Sequence, residues 1–254
     1  MKLNLVNKIY IGFAIILLVA IVWRVFKYKA WDRHYFFASV SAPYTHPVYL
    51  RDIYFIYSND DDFGGGFLYS RDEVNNFNSS WGAEYYSPRV RDPLPFPKQL
   101  VLQYVSYRDK KFYKDTLDLP PQTIANVFKE AKDKNQFLRI STTTGMNERQ
   151  GLHFVVGIAN DGDLIVWLRG MFFEKVLLKT KLKSKELTPD DLYHGKKMSK
   201  EEYYKQVFEY MPDTLKQLIA QGYDKDAKYI DTPTRYIEMN KEYWEAEKKR
   251  LGRK

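Results

Sequence analysis

The chain has 254 residues, no cysteine and a formal net charge of +8 at pH 7. The absence of cysteine excludes disulfide bonds, thiolate metal sites, cysteine nucleophiles and lipoprotein processing. The length suits an N-terminal segment followed by one domain or two small ones. The positive charge favours anionic lipid, nucleic acid or an acidic protein as partner, although a solvated lysine-rich face is the simpler interpretation.

An apolar run, IYIGFAIILLVAIVWRVF, occupies residues 9–26 and carries no charge before Arg24. As a helix it would be about 27 Å long, close to the roughly 30 Å hydrocarbon core of a bilayer. No small-residue cleavage site follows the run, and it lacks the polar face of a core helix. We therefore predict that residues 1–29 are a retained membrane anchor rather than a cleaved signal peptide or a core helix. The residues expected to anchor it are Ile9, Phe13, Ile16, Leu17, Leu18, Val19, Ile21, Val22 and Trp23.

The orientation of this anchor in the membrane is harder to infer from the sequence, because basic residues flank it on both sides. The charge count alone slightly favours a cytoplasmic C-terminal side. The short tail with Lys2 and Lys8, however, is typical of a signal-anchor, which leaves the N-terminus inside. We therefore expect a single-pass membrane protein whose folded part is exported.

Residues 30–187 are predicted to form a β-rich domain. Alternating and aromatic runs predict strands at 34–41, 48–57, 98–107, 111–117 and 137–143. Between the second and third of these, residues 58–92 are rich in Gly, Asn and Ser and are predicted to be a long irregular loop. After Pro120-Pro121 a helix should run to about Lys134. Its apolar face would consist of Ile124, Val127, Phe128 and Ala131.

A hairpin is predicted over residues 151–170, because Asn160-Asp161-Gly162 separates two apolar runs and Asp-Gly favours a tight turn. The next strand, 172–183, places lysines on one face at every second position, which commonly protects a sheet edge. The candidate basic surface consists of Lys179, Lys181, Lys183 and Lys185.

Residues 188–254 are predicted to be a helical C-terminal extension packed on or beside the β-rich domain. Ser199 and Glu202 fit a capping box for a helix to about Tyr210. A second helix should begin at Pro212-Asp213, bury Leu215, Leu218 and Ile219, and stop at Gly222. Asn240 is predicted to cap the last helix. The expected class is α+β: an N-terminal transmembrane helix, a mainly antiparallel sheet domain with one inserted helix, and C-terminal helices.

Catalytic and metal-binding motifs are missing from the sequence. The acidic run 59–64 lacks the carboxylate spacing of a calcium loop. His34, His46, His153 and His194 share no metal-ligand spacing, and His153 is expected to be a hydrogen-bonded core residue. No nucleophile elbow, phosphate loop or RNA-stacking motif occurs. We predict no catalytic residue, no metal site and no cofactor, and do not expect nucleic acid as a partner.

Three stretches, HYFFASVSAPYTHPVYLRDIYFIY, PLPFPKQLVLQYVSYRDKKFY and FVVGIANDGDLIVWLRG, together resemble the bacterial domain of unknown function 2931 family over about residues 33–183. Members of that family often look like small envelope lipoproteins, whereas this chain has an apolar helix and no lipobox cysteine. The resemblance implies an envelope-facing domain without known catalytic residues. It supports the exported orientation, and with it we expect the anchor in the bacterial inner membrane and the folded part in the periplasm.

The function expected from these observations is a membrane-anchored, non-catalytic binding domain, for example an immunity-type protein that captures a toxin. One alternative is an envelope hydrolase with its site in the 58–92 loop, where Asp60, Asp61 and Asp62 would act. Another is a module that binds lipid surfaces through Lys179, Lys181 and Lys183.

Overall fold

The computed structural model describes residues 4–57, 67–83, 89–90, 92–142, 148–192 and 196–250. Its helices are α1 (Leu5–Tyr28), α2 (Leu68–Asn75), α3 (Pro121–Asp133), α4 (Lys200–Val207), α5 (Asp213–Ala220) and α6 (Tyr236–Arg250). Its strands are β1 (Phe36–Ser41), β2 (Val48–Ile56), β3 (Arg89–Val90), β4 (Gln99–Ser106), β5 (Phe112–Asp118), β6 (Leu138–Thr142), β7 (Glu148–Ile158), β8 (Asp163–Gly170), β9 (Phe173–Lys181) and β10 (Ser184–Lys185). The predicted α+β class is confirmed.

Helix α1 is long and apolar enough to cross a membrane, a property that it shares with signal sequences. It begins after Asn4, whose side chain accepts a hydrogen bond from the Asn7 amide at 2.8 Å. It ends at Lys29, which adopts a left-handed conformation with φ of 46°. None of the 24 residues of α1 is buried. The nine residues predicted to anchor it are all among the exposed apolar side chains.

Two mainly antiparallel sheets form the body. The first has the strand order β3-β6-β7-β8-β9, and β1 pairs with β7 in parallel. The second has the order β10-β5-β4-β2 and is antiparallel throughout. Apolar side chains of both sheets meet in one core, where the Phe55 and Phe154 rings lie 5.4 Å apart between centroids. Helix α3 closes this core with the four residues predicted from its apolar face.

The predicted loop 58–92 is wrong for residues 67–82, which contain α2 and pack against the edges of two strands. The Asn75 side chain accepts a hydrogen bond from the Leu50 amide at 2.7 Å and donates one to the Leu50 carbonyl at 2.9 Å. The hydroxyls of Ser70 and Ser79 accept from the amides of Val40 and Ala42, each at 3.0 Å. Polar side chains here satisfy strand groups that a sheet edge would otherwise expose.

The hairpin between β7 and β8 is confirmed. Asp161 and Gly162 both have positive φ angles, 56° and 80°. A Cβ atom on Gly162 would come within 2.6 Å of the Leu182 carbonyl oxygen. The turn therefore requires glycine both for the positive φ angle and for this close approach.

The C-terminal part of the chain covers part of the outer face of each sheet. Helices α4 and α5 pack on the second sheet, where Tyr203 and Leu215 are buried. Helix α6 reaches the first sheet through Tyr236 and Trp244. It begins at Tyr236, so the predicted cap at Asn240 is wrong: Asn240 lies inside the helix and its side chain donates to the Tyr236 carbonyl at 2.9 Å.

Candidate functional site: a lysine-lined cleft

An open cleft with a volume of about 60 Å³ lies where the β4–β5 turn, β10 and the start of α4 meet. Its described lining residues are Lys110, Lys111, Phe112, Ser184, Lys185, Glu186, Leu187, Lys200 and Tyr204. Four lysines therefore face one glutamate around the same opening.

The backbone around the cleft is fixed by local interactions of these same segments. Lys110 ends the β4–β5 turn with φ of 53°, and its carbonyl accepts a hydrogen bond from the Tyr204 hydroxyl at 2.9 Å. Strand β10 pairs with the beginning of β5, so that Lys185 stands opposite Phe112. Helix α4 begins at Lys200 because Ser199 and Glu202 form the predicted capping box. The lysines thus come from three elements that hydrogen-bond or pack against one another.

The floor of the cleft is apolar. Phe112 is 3% exposed and belongs to the core between the second sheet and α4. Leu187 and Tyr204 are partly buried against the same core. The cleft therefore has an apolar base and a cationic rim.

Two of the lysines have distant acidic partners and two have none among the described carboxylates. Lys111 Nζ is 3.9 Å from Asp109, and Lys200 Nζ is 3.8 Å from Glu186. No described carboxylate lies within 4 Å of Lys110 or Lys185. Lys110 Nζ instead lies 3.6 Å from the centroid of the Tyr107 ring. Burial lowers the pKa of Lys110, against the raising effect of Asp109.

This arrangement is suited to holding an anion. Ammonium groups attract negative charge and donate up to three hydrogen bonds each.

The predicted basic surface is divided by the fold. Lys179 and Lys181 lie on β9, the edge strand of the first sheet, and pair with Asp231 at 2.6 Å and Asp163 at 3.5 Å. Lys183 is exposed beyond the end of β9. Lys185 alone of the four lines the cleft, because β10 belongs to the second sheet.

The sequence does not associate Lys110 and Lys111 with Lys185 and Lys200. Lys110 lies between the predicted strands 98–107 and 111–117, and Lys200 follows the predicted cap residue Ser199. A signal was present in the adjacent pair Lys110-Lys111 at a hairpin turn, but nothing in the sequence places that turn next to residue 185 or 200.

The histidines do not form a common site. His153 and Ser39 are fully buried, with 2.7 Å between His153 Nε2 and Ser39 Oγ, which confirms the predicted core role of His153. A serine enclosed in this way cannot reach a substrate. His34 stacks on the Phe96 ring at 4.2 Å between centroids, and His194 lies outside the described residues.

His46 belongs to a separate polar cluster that joins the β1–β2 turn to residues 224–229. The Thr45 hydroxyl donates to Asp224 at 2.6 Å, and the Tyr229 hydroxyl also donates to Asp224. Because the Thr45 proton is used in this way, Nδ1 of His46 donates at its 3.3 Å contact with the Thr45 oxygen. Burial, aided by Arg108, lowers the pKa of His46 to about 4, so the ring is neutral at pH 7.

Within the described ranges, no three His, Asp or Glu side chains are grouped so that they could hold a metal ion. The acidic run at 59–64, including Asp60, Asp61 and Asp62, lies outside those ranges.

Comparison with known proteins gives one family. The sequence profile described as "Protein of unknown function (DUF2931)" matches residues 27–236. No curated protein and no solved structure matches the chain. The matched segment covers both sheets and the cleft and extends beyond the 33–183 region of the resemblance. The protein belongs to the DUF2931 family of proteins of unknown function.

Proposed function

We propose that the protein is a membrane-tethered, non-catalytic binding domain of the bacterial inner membrane, with its folded body in the periplasm. The observation that carries this proposal is the complete exposure of α1. A 24-residue apolar helix without a buried residue leaves a large apolar surface facing water unless lipid covers it. At 1.5 Å per residue it is about 36 Å long, enough to span a bilayer.

The junction between α1 and the body supports retention of the helix. The Arg33 side chain donates to the Tyr28 carbonyl at 2.7 Å and to the Pro93 carbonyl at 3.3 Å. It also lies over the Tyr28 ring, 4.1 Å from the centroid. Trp31 is 62% exposed and packs edge-on against Phe26, a position suited to the headgroup layer. Cleavage after Phe26 would remove the contact between Phe26 and Trp31 and would leave Tyr28 near a free N-terminus.

The partner that we propose is a protein captured at the membrane, as an immunity-type protein captures a toxin. Tyr54 and Ile56 project from the exposed face of edge strand β2, with 46% and 37% of their surface accessible. Tyrosine is enriched in protein interfaces. Tethering would raise the local concentration of such a surface where a membrane-active toxin arrives.

The tether is tested by placing charge in the middle of α1. Leu17→Lys/Leu18→Lys should move the chain out of the carbonate-resistant membrane fraction, because each lysine at the bilayer centre costs about 3 kcal/mol. The control, Gln122→Lys/Asn126→Lys, adds the same charge to the exposed side of α3 and should remain with the membrane. A wild-type chain that is soluble, or whose first residue lies beyond Phe26, would overturn the proposal.

Orientation and partner are tested on the same membranes. A C-terminal reporter that is active only in the periplasm should be active, and activity of a cytoplasmic reporter would reverse the assigned side. A toxin encoded beside the gene should co-purify with the wild type and less with Tyr54→Ala. Tyr210→Ala, at a tyrosine that is 84% exposed, is the matched control and should retain binding.

A further inference from the structure

We infer that the lysine-lined cleft binds a phosphate group carried by a small organic ester. This goes beyond the proposed function, because the ligand is a small anion and its binding requires neither the tether nor a protein partner. The inference rests on the juxtaposition of Lys110, Lys111, Lys185 and Lys200 around one opening.

The lysines that line the cleft outnumber the described acids close to them. Lys110 and Lys185 have no described carboxylate within 4 Å, while the acids near the other two lysines, Asp109, Asp161 and Glu186, are 3.8 Å or more away. The cleft therefore carries a net positive charge, although Lys110 also lies against the Tyr107 ring. An anion held between the lysines would balance this charge and gain charge-assisted hydrogen bonds.

The identity of the cations favours phosphate over carboxylate. A carboxylate has two oxygens and one charge and is matched best by the planar fork of arginine. No arginine is among the described lining residues. A phosphate monoester carries about two negative charges and three terminal oxygens near pH 7. Lysines that approach from the β4–β5 turn, β10 and α4 can each reach a different oxygen.

The dimensions of the cleft limit the size of the ester. Its cavity volume of about 60 Å³ is well below the 300–1,000 Å³ typical of sites for drug-sized ligands. A phosphate with a short carbon skeleton therefore fits better than a nucleotide. The apolar floor formed by Phe112 and Leu187 would contact that skeleton. A soluble phosphate ester and a phospholipid headgroup share this chemistry.

The test measures phosphate binding by the full chain in phosphatidylcholine nanodiscs at constant ionic strength. Equilibrium dialysis with radiolabelled inorganic phosphate should show saturable binding that glycerol 3-phosphate displaces and acetate displaces far less. Lys110→Gln/Lys185→Gln should weaken binding about tenfold or more, since it removes two charge-assisted contacts.

The control variant Lys129→Gln/Lys175→Gln removes the same charge from exposed lysines outside the cleft and should bind within about twofold of the wild type. Equal weakening by both double variants, non-saturable binding, or displacement by acetate as effective as by glycerol 3-phosphate would each overturn the inference. Short-chain phosphatidylglycerol, added below its micelle concentration, distinguishes the source. If the lipid displaces phosphate more strongly than glycerol 3-phosphate does, the natural ligand is a lipid headgroup. If it displaces phosphate more weakly, the ligand is a soluble ester.

Discussion

The C-terminal part of the chain packs on the outer face of each sheet, but the two faces differ in which member of an ion pair is buried. On the first sheet, the Arg169 side chain is fully buried and lies 2.6 Å from Glu174. On the second sheet, the buried charge is the Asp191 carboxylate, and its cation, Lys114, is 52% exposed. The most deeply buried charge is therefore a cation on the first face, where Glu247 is buried less completely, and an anion on the second.

The surroundings of the two pairs extend this difference. Arg169 also donates to the Gly82 carbonyl at 2.9 Å and lies 4.5 Å from the centroid of the Tyr236 ring, so α6 and the 67–82 segment enclose it. Lys114, by contrast, can turn towards water. We conclude that solvent is excluded from the buried charge on the first face. The second face stays in contact with solvent, and the lysine-lined cleft opens on the same sheet.

The largest effect that we expect comes from removing the charge of Glu174. Glu174→Gln would leave the Arg169 guanidinium buried without its counter-ion, which should lower the free energy of unfolding by about 3 kcal/mol. The value falls at the low end of the range for broken buried pairs, because the glutamine carbonyl still accepts a hydrogen bond. Urea unfolding of the full chain in detergent measures it.

The matched control for Glu174 is the exposed pair Arg235–Glu238, which has nearly the same separation, 2.7 Å. Glu238→Gln should lower the free energy of unfolding far less than Glu174→Gln, because solvent screens an exposed pair. Equal costs for the two variants would show that burial of Arg169 does not distinguish the first face.

The chain crosses from the second face to the first between α5 and α6, and the His46 cluster holds this crossing. Asp224 and Tyr229 belong to the crossing segment, and Tyr229 also contacts the Trp81 ring at 5.8 Å between centroids. Burial opposes ionisation of Asp224, but hydrogen bonds from Thr45 and Tyr229 bring its pKa below the ordinary value. As the pH falls, protonation of His46 should therefore weaken this cluster before Asp224 is protonated.

The pKa of His46 predicts how stability changes with pH. Because burial lowers that pKa from 6.5 to about 4, the unfolded chain binds a proton between these values and the folded chain does not. Stability should fall as the pH drops from 6.5 towards 4, by about 2 kcal/mol between pH 7 and pH 5. His46→Gln should flatten this dependence in urea unfolding measured at each pH.

His34→Gln is the control for the pH prediction. Burial also lowers the pKa of His34, with Asp32 acting in the opposite direction, so this variant should flatten the profile less than His46→Gln. If His46→Gln retained the full wild-type loss between pH 7 and pH 5, another group would have to be responsible.

The sequence predicts features that depend on near neighbours along the chain. The apolar face of α3, the Asp161-Gly162 turn and the capping box at Ser199 are all confirmed. Each needs only a local period or a short motif.

Features that join distant segments were not predicted. The parallel pairing of β1 with β7 brings Ser39 to His153, 114 residues apart. Asn75 lies in a segment whose composition indicates a loop, and only its contact with Leu50 gives it a role. The same holds for the lysine-lined cleft. Alternation identifies a strand or a charged face, but it does not specify which segment will lie against it.

The smallest effect that we expect concerns Asp191, where the comparison between the two faces is sharpest. Burial raises the pKa of this carboxyl, but hydrogen bonds from Thr188 and Lys114 outweigh it and lower the pKa overall. Asp191→Asn keeps one acceptor oxygen and leaves an exposed lysine that water can solvate, so we expect a loss of about 1 kcal/mol in urea unfolding. Asp190→Asn, at the exposed neighbouring aspartate, should change stability by much less. A cost for Asp191→Asn as large as that for Glu174→Gln would mean that solvent access to the cation does not govern these pairs, and the distinction between a closed and an open face would lose its physical basis.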